Sequence, residues 1–275
     1  MTILKARAKI NLFFHITGKR EDGYHLIDSL TVFAESIFDL IDINESDASE
    51  TIVKDGEFAS HLKKEENNLI DKAIEAFSST KKYSCYLTKN IPIAAGLGGG
   101  SSDAATVARY IDPSIDTENL LKIGADLPIC YYNQPAYFEG IGEIISPIEN
   151  FPIIHLVLVN PKKALLTKEV FKLNKIHNTP HLYNKPTNFF NSAEKLVEFL
   201  NNLGNDLTDS ATSIMPEIKL ILDILQSQNG CKLSRMSGSG PTCFGIFYNE
   251  QEAIKARDNL IKIHPQYWVK HTMVI

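Results

Sequence analysis

The pattern of apolar and polar positions along the chain switches repeatedly between the period of a strand and that of a helix. Alternation predicts long strands over 3–17 and 30–43, and a helical spacing of apolar residues follows over 68–77. The same patterns predict further strands at 83–88, 136–139, 142–145 and 153–159, and further helices at 102–111, 119–123, 167–173, 193–200, 215–226 and 251–261. Strands and helices therefore mix without the regular rhythm of a doubly wound sheet, which favours an α+β fold with helices packed on one face.

Two of the connecting segments have a composition of their own. Residues 236–241, Met-Ser-Gly-Ser-Gly-Pro, are predicted to form the loop of a strand–loop–strand unit between the last two helices. Residues 174–186 are polar and contain proline, so a surface loop or a mobile lid is expected there.

A glycine-rich segment, Gly96-Leu97-Gly98-Gly99-Gly100-Ser101-Ser102, joins the strand at 83–88 to the helix at 102–111. Glycines let backbone amides converge on a bulky anion, and the start of a helix adds free N–H groups and the positive end of its dipole. The two serines are suited to capping that helix. The segment is therefore predicted to hold phosphate groups.

Better-known phosphate loops and a plain linker fit this segment less well. A Walker A loop needs a lysine after its last glycine, but Gly100 is followed by two serines. A dinucleotide fold would begin with this loop and place an acidic strand end after it, and neither feature is present. A flexible linker is disfavoured because the glycines run directly into an alanine-rich amphipathic helix.

Composition narrows the class of protein. The 275 residues are 44% hydrophobic, enough for one large core or two medium ones, and the net charge of −5 is spread along the chain. Interspersed charge argues against a nucleic-acid or membrane-surface partner. The four cysteines lack C-x-x-C spacing and no apolar run approaches 18 residues, so reduced thiols in a cytoplasmic protein are expected. We expect a monomer or a weak homodimer.

Two charged residues stand out in apolar surroundings. Lys9 and Asn11 share one face of the first predicted strand, and a lysine pointing inward is unusual unless it meets a carboxylate or a phosphate. An edge-strand lysine is the alternative. Asp126 follows a Gly-Ala turn, where the residue alone would indicate a helix cap or a turn.

Other candidates have equally ordinary alternatives. Tyr24 and His25 follow Gly23 and could be packed loop residues, whereas Phe171 has the spacing of a helix core residue. Asn68 would serve as a helix cap.

Three separated motifs coincide with one family. They are Ala8-Lys9-Ile10-Asn11-Leu12, the pattern P-x-x-x-G-L-G-x-x-S-S over 92–102, and a glycine-rich strand–loop–strand over 232–244. With them the chain resembles the GHMP kinases, named for galactokinase, homoserine kinase, mevalonate kinase and phosphomevalonate kinase. The segments 20–25, 124–128 and 139–143 are similar to members whose acceptor is a cytidine-diphosphate sugar alcohol. The resemblance runs from about residue 5 to 250, with Arg7 standing where the family commonly has proline.

The resemblance implies a two-domain fold with mixed sheets and the active site in the cleft between the domains. The N-terminal, ATP-binding domain would cover 1–152 and the C-terminal domain 153–275. It further implies ATP-dependent phosphorylation of a small-molecule hydroxyl with Mg²⁺ as the partner of ATP. For the metal no ligand is assigned, and Ser102 is the one candidate.

The resemblance also assigns roles residue by residue. Asp126 would be the catalytic base, with Lys9 balancing the negative charge of the transferred phosphoryl group. The ATP-binding residues would be Asn68, Leu69, Lys89, Pro92, Ile93, Ala94, Ala95, Gly96, Leu97, Gly98, Gly99, Gly100, Ser101 and Ser102. The acceptor would be bound by Asn11, Tyr24, His25, Thr167 and Phe171, with Tyr24 and Phe171 stacking on cytosine.

Three other functions fit the sequence less well. A homoserine or mevalonate type of GHMP kinase predicts no paired aromatic residues for a nucleobase. A non-catalytic nucleotide-binding protein should have lost Lys9, Asp126 or a loop glycine, and all are present. A zinc hydrolase is disfavoured by the scatter of the eight histidines along the sequence.

Overall fold

The first of two sheets is organised around one long strand. A computed structural model describes residues 2–62, 68–175, 178–182, 185 and 190–274. The strands of this sheet are β1 (Thr2–Lys19), β2 (His25–Ser46), β3 (Glu50–Asp55), β4 (Lys82–Thr88), β5 (Ala136–Gly140) and β6 (Ile144–Pro147). Strand β2 pairs with β1 over nearly its whole length, and its other edge pairs with β5 near its start and with β4 near its end. Only the β3–β4 pairing among these is parallel.

The second sheet is antiparallel throughout its described pairings. Its strands are β7 (Ile154–Asn160), β8 (Leu233–Met236), β9 (Cys243–Phe247) and β10 (Trp268–Val274), in the order β10-β7-β9-β8. Leu156, Phe244 and Trp268 of this sheet share one buried cluster with Ile10 and Leu30 of the first. The domain boundary between 152 and 153 stays a prediction.

Helices cover the sheets and bury apolar side chains against them. They are α1 (Leu69–Phe77), α2 (Gly99–Ile111), α3 (Thr117–Leu121), α4 (Leu127–Tyr132), α5 (Thr167–Leu173), α6 (Ala193–Asn201), α7 (Thr208–Ile214), α8 (Glu217–Gln226) and α9 (Glu250–Ile263). Ala104 and Ala108 of α2 pack with Phe33 of β2, and Ala253 of α9 packs with Val157 of β7. The α+β class predicted from the sequence is confirmed.

The helix after the glycine loop begins earlier than predicted. It starts at Gly99, and Gly98 before it has the left-handed backbone angle φ 61°. The expectation that serine caps this helix is wrong: Gly98 occupies the cap position without a side-chain bond, and Ser102 Oγ donates to the carbonyl of Arg7 at 2.5 Å. A glycine is needed there because a left-handed residue that carries a Cβ is strained.

Three further expectations concern the loop at 174–186, the cysteines and membrane-spanning helices. The predicted loop at 174–186 falls partly outside the described residues, and in the described part Thr179 N donates to the carbonyl of Ile16. All four cysteines are free, as expected. Within the described residues, no helix is long and apolar enough to span a membrane.

Candidate active site

A cavity of about 1380 Å³ collects most of the predicted site residues. Its wall includes the predicted residues Lys9, Asn11, Tyr24, His25, Asn68, Leu69, Lys89, Pro92, Ile93, Ala94, Ala95, Gly96, Gly98, Gly99, Gly100, Ser101, Asp126, Thr167 and Phe171. Residues that precede β7 and residues that follow it therefore line the same cavity. Leu97 and Ser102 are not in this wall: Leu97 is buried in the core, and the hydroxyl of Ser102 is bound to Arg7.

The three sequence motifs interlock through the glycine loop. Lys9 N of β1 donates to the carbonyl of Leu97 at 2.9 Å, and Ser237 Oγ donates to the carbonyl of Gly96 at 2.9 Å. The same Ser237 oxygen accepts from Asn11 N at 3.1 Å. A Cβ on Gly96 would lie 2.2 Å from the Ser237 carbonyl oxygen, so only glycine fits at this crossing. The contacts fix the loop relative to the strand that carries Lys9.

Lys9 and Asp126 form an ion pair at the cavity wall. Lys9 Nζ is 3.2 Å from Asp126 Oδ1 and donates to Asn11 Oδ1 at 2.9 Å. Lys9 is buried, whereas the Asp126 side chain is 37% exposed and lines the cavity. A Cβ on Gly98 would lie 2.9 Å from Lys9 Cε, so the loop backbone runs directly over the lysine. The pair combines a positive charge beside the loop with a carboxylate open to solvent.

The turn that carries Asp126 is held from two sides. Leu127 N donates to the carbonyl of Gly124 at 3.1 Å, and Asp126 comes immediately before α4. A Cβ on Gly142 would lie 2.4 Å from the carbonyl oxygen of Ala125, so this glycine lets the β5–β6 turn approach closely. Asp126 holds the position of a helix cap, but its side chain makes no capping bond and contacts Lys9 instead.

Asn11 is buried with its side chain fully engaged. Its Oδ1 accepts from Lys9, while its Nδ2 donates to Ser29 Oγ at 2.8 Å and to Thr31 Oγ1 at 3.1 Å. These bonds orient the amide so that its oxygen meets the ammonium. Alternation along β1 correctly placed Lys9 and Asn11 on one face. The contact with substrate predicted for Asn11 stays a prediction.

Lys89 has a different environment from the one expected of an ATP contact. Its Nζ is bound by two buried carboxylates, Asp103 Oδ2 at 2.6 Å and Asp39 Oδ2. Burial disfavours the ammonium, but Asp103 and then Asp39 outweigh it and raise the pKa of Lys89. Burial and next the charge of Asp39 raise the pKa of Asp103 well above its usual value. The ammonium of Lys89 is thus taken up by protein carboxylates.

The aromatic candidates Tyr24, His25 and Phe171 line the same cavity as the glycine loop. The rings of His25 and Phe171 are 4.9 Å apart between centroids and inclined by 40°. Tyr24 is 58% exposed and lines the same cavity. Thr167 Oγ1, at the start of α5, is 2.9 Å from Ser239 Oγ of the third motif. The structure therefore brings all four side chains to the cavity wall.

The ordinary role considered for Asn68 is observed. Its Oδ1 accepts from Ile70 N at 3.0 Å and caps α1, although Asn68 also lines the cavity. The nucleotide contacts predicted for Asn68 and Leu69 stay predictions.

Residue-by-residue reasoning missed four members of this region. Ser237 and Ser239 belong to the third motif, but no site role was predicted for them. Asp39 and Asp103 carried a weaker signal: Asp39 is flanked by the apolar Phe38 and Leu40, and Asp103 is the single acid of the alanine-rich helix α2. Such an acid is expected to meet a cation when it is buried.

Comparison with known proteins identifies the family. The pattern described as GHMP kinases N terminal domain matches residues 68–138, and the one described as GHMP kinases C terminal matches 187–265. The chain belongs to the GHMP kinase family. This GHMP kinase is 40% identical to 4-diphosphocytidyl-2-C-methyl-D-erythritol kinase of Roseobacter denitrificans, over 98% of this chain and 92% of the relative. It is 42% identical to the enzyme of the same name from Wolbachia pipientis wMel, over 99% and 98% of the two chains.

Two solved structures are similar to this chain in fold. A crystal structure of 4-(cytidine 5'-diphospho)-2C-methyl-D-erythritol kinase has a TM-score of 0.78 and 26% identity, with 99% of both chains covered. The mevalonate kinase of L. major, in complex with R-mevalonate, has a TM-score of 0.65 at 13% identity, over 100% of this GHMP kinase and 96% of that chain. The second likeness shows the shared fold alone.

Proposed function

We propose that this GHMP kinase transfers the γ-phosphoryl group of ATP to the 2-hydroxyl of 4-diphosphocytidyl-2-C-methyl-D-erythritol, a step of the non-mevalonate isoprenoid pathway. The observation that carries the proposal is the Lys9–Asp126 pair, 3.2 Å apart and beside the glycine loop, in a chain about 40% identical to kinases of that name. Phosphoryl transfer needs positioning, charge stabilisation and a group that accepts the hydroxyl proton.

The two charged residues divide this work. The exposed carboxylate of Asp126 would accept the proton of the attacking hydroxyl, because it reaches the cavity while Lys9 stays buried behind it. The ammonium of Lys9 would balance the charge that develops on the acceptor oxygen and on the phosphoryl group. Asn11 holds that ammonium in place through its 2.9 Å hydrogen bond.

The glycine loop and Mg²⁺ would hold the triphosphate. The loop's backbone amides and the start of α2 suit phosphate groups. Mg²⁺ bound together with ATP would neutralise part of the charge of the phosphates. Asp103 and Asp126 both line the cavity, but Asp103 is buried and bound to Lys89, whereas the side chain of Asp126 is 37% exposed. The donor set fits a metal held mainly by ATP and water.

The aromatic end of the cavity supports a nucleobase on the acceptor. Tyr24 offers an exposed ring, and Phe171 stands beside His25 with centroids 4.9 Å apart. Flat rings bind a base by stacking, and an imidazole adds hydrogen bonding to its edge. Thr167, hydrogen-bonded to Ser239, would meet the diphosphate that links base and sugar alcohol.

The direct test is an assay of products. The protein is incubated with ATP, Mg²⁺ and the cytidine-diphospho acceptor, and phosphorus NMR follows ADP and a new phosphomonoester. We expect one phosphomonoester per ADP, and no such product with mevalonate or homoserine. Release of ADP without a phosphorylated acceptor, or equal use of mevalonate, would contradict the proposal. Asp126→Asn serves as the matched inactive control.

A further inference from the structure

Two histidines and a glutamate meet on the second sheet, outside the cavity described above. His155 lies on β7, His271 on β10, and Glu250 is the first residue of α9. One nitrogen of each histidine and one carboxylate oxygen of Glu250 all lie within 4.8 Å of one another. None of the three belongs to the wall of the kinase cavity.

The pairing of β7 with β10 brings the two histidines together. In the antiparallel register of β7 and β10, His155 is opposite Met273 and His271 is opposite Val157. Residues two apart across such a pair are diagonal neighbours on one face of the sheet. That face also carries Val157, which packs with Ala253 of α9, so the helix start comes close to the histidines. Three rigid elements therefore supply one side chain each.

The distance between the two histidines matches a metal site. His271 Nε2 is 3.4 Å from His155 Nδ1, and the rings are nearly parallel at 20°. Two nitrogens bound to one tetrahedral Zn²⁺ at about 2.0–2.1 Å lie about 3.3–3.4 Å apart. A direct hydrogen bond between imidazoles would ordinarily be shorter, at about 2.9–3.0 Å. The pair is therefore already spaced as two ligands of one ion.

We propose that His155, His271 and Glu250 bind a divalent transition-metal ion of the Zn²⁺ class, with the fourth position left to water. Two imidazoles and a carboxylate are ligands that suit Zn²⁺, Ni²⁺ and Co²⁺ rather than Mg²⁺. The nearby cation Arg257 is paired with Asp258 at 2.7 Å, which limits its repulsion of an ion. A bound ion would link both strands to the start of α9 and stabilise this half of the protein.

The test measures metal binding directly and needs neither ATP nor an acceptor. The full-length protein is stripped with a chelator, and Co²⁺ and Zn²⁺ are titrated separately by visible absorption and by calorimetry. We expect one equivalent of Co²⁺ with the intense bands of a four-coordinate site, and a higher Tm with Zn²⁺. Binding weaker than millimolar, or only six-coordinate Co²⁺ spectra, would overturn the proposal.

Variants locate the ion. His155→Ala and His271→Ala should each weaken Zn²⁺ binding by about 100-fold or more, since loss of even an outer partner of a metal ligand costs about 10- to 100-fold. Glu250→Gln changes an exposed side chain, so it keeps the test valid if a histidine variant fails to fold. Glu252→Gln, in the same first turn, and His264→Ala, at the far end of α9, are matched controls. Equal Zn²⁺ affinity in Glu250→Gln and Glu252→Gln would place the ion elsewhere.

Discussion

Two buried lysines in the wall of one cavity show how differently a buried charge can be compensated. Lys9 is 4% exposed and Lys89 is 3% exposed, and each touches a carboxylate. The partner of Lys9 is the partly exposed Asp126, which reaches the cavity. The partners of Lys89 are Asp39 and Asp103, both enclosed by protein. The first arrangement leaves a partly exposed carboxylate available to a ligand, and the second pairs the ammonium with two buried carboxylates.

The enclosed cluster has a structural task next to the glycine loop. Asp39 Oδ1 accepts from the backbone N–H of Asn90 at 2.5 Å and of Ile91 at 2.8 Å, immediately before the loop. Asp103 lies in the first half of α2, immediately after the loop. Lys89 joins these two carboxylates, so the cluster ties both ends of the loop together. We infer that Lys89 supports ATP binding through the fold of the loop rather than through its ammonium.

The largest effect is expected from Asp126→Asn. This change keeps the shape and hydrogen bonding of the side chain but removes the proton acceptor, so kcat should fall by about 10²–10⁴-fold. Both substrates should still bind, and stability should change little because the side chain is partly exposed. Steady-state kinetics and ATP calorimetry measure this. Asp116→Asn, at the exposed start of α3, is the control and should keep its kcat. Near-normal turnover in Asp126→Asn would mean that the carboxylate only positions the hydroxyl.

The second effect concerns stability. Lys89→Met removes one partner from a buried cluster and leaves two carboxylates uncompensated, which should lower the free energy of unfolding by about 3–5 kcal/mol. Urea denaturation measures the loss. Lys82→Met, an exposed lysine at the start of the same strand β4, should change it by less than about 0.5 kcal/mol. If the two variants are equally stable, the cluster contributes nothing to the fold.

These charge clusters also show where inference from the sequence stops. The resemblance joined Lys9 to Asp126 across 117 positions, and the structure confirms the contact. It placed Lys89 among the ATP contacts, which stays a prediction, and a motif does not show that Asp39 of another strand and Asp103 of a later helix reach its ammonium. For the same reason the sequence does not show that β7 and β10 bring His155 and His271 to 3.4 Å, since 116 positions separate the two residues.

A long periodic pattern of apolar residues made an element predictable from the sequence, and a short pattern did not. Strand β2 was found because its apolar alternation is long, although its full range His25–Ser46 exceeds the predicted 30–43. Helix α4 was missed because six residues that include Pro128 carry too little periodicity. Strands β3 and β10, each at an edge of its sheet, were missed as well.

A smaller effect is expected where the cavity wall carries no charge. Tyr24→Ala should remove one stacking face for the cytosine and weaken acceptor binding by about 1–3 kcal/mol, seen as a higher acceptor KM. The exposed ring of Tyr24 makes little contribution to the core, so the free energy of unfolding should stay the same. Tyr110→Ala, an exposed tyrosine on α2 outside the cavity, is the control. An unchanged KM in Tyr24→Ala would remove this residue from the acceptor site.

The smallest effect is a pH dependence of stability. Because burial and Asp39 raise the pKa of Asp103 in the folded state, the folded protein holds this proton more tightly than the unfolded chain does. The contribution of Asp103 to stability therefore falls as pH rises from about 4, the usual aspartate pKa, through the raised value. Asn at this position does not titrate, so Asp103→Asn should gain stability relative to the wild type across that window.

Asp112, which follows the last residue of the same helix, serves as a control in which the pKa is shifted in the opposite direction. Hydrogen bonds from Ser114 lower the pKa of Asp112, so its contribution to stability is lost as pH falls. The stability of Asp112→Asn relative to the wild type should therefore increase as the pH falls. Urea denaturation over a pH series measures how the stability of each variant, relative to the wild type, changes with pH. The same direction of change in both variants would contradict the opposite pKa shifts of Asp103 and Asp112.

The most direct test of the central claim compares Lys9→Met with Lys89→Met, measuring kcat and the free energy of unfolding for each. We predict that Lys9→Met loses kcat by about the same factor as Asp126→Asn. Its free energy of unfolding should fall by about 1–3 kcal/mol, because Asp126 stays solvated while the buried Asn11 Oδ1 loses this donor. Lys89→Met should show the reverse: a large loss of stability and, at a temperature where it is folded, a much smaller loss of kcat. A Lys9→Met variant that turns over at the wild-type rate, or one that loses as much stability as Lys89→Met, would contradict the account.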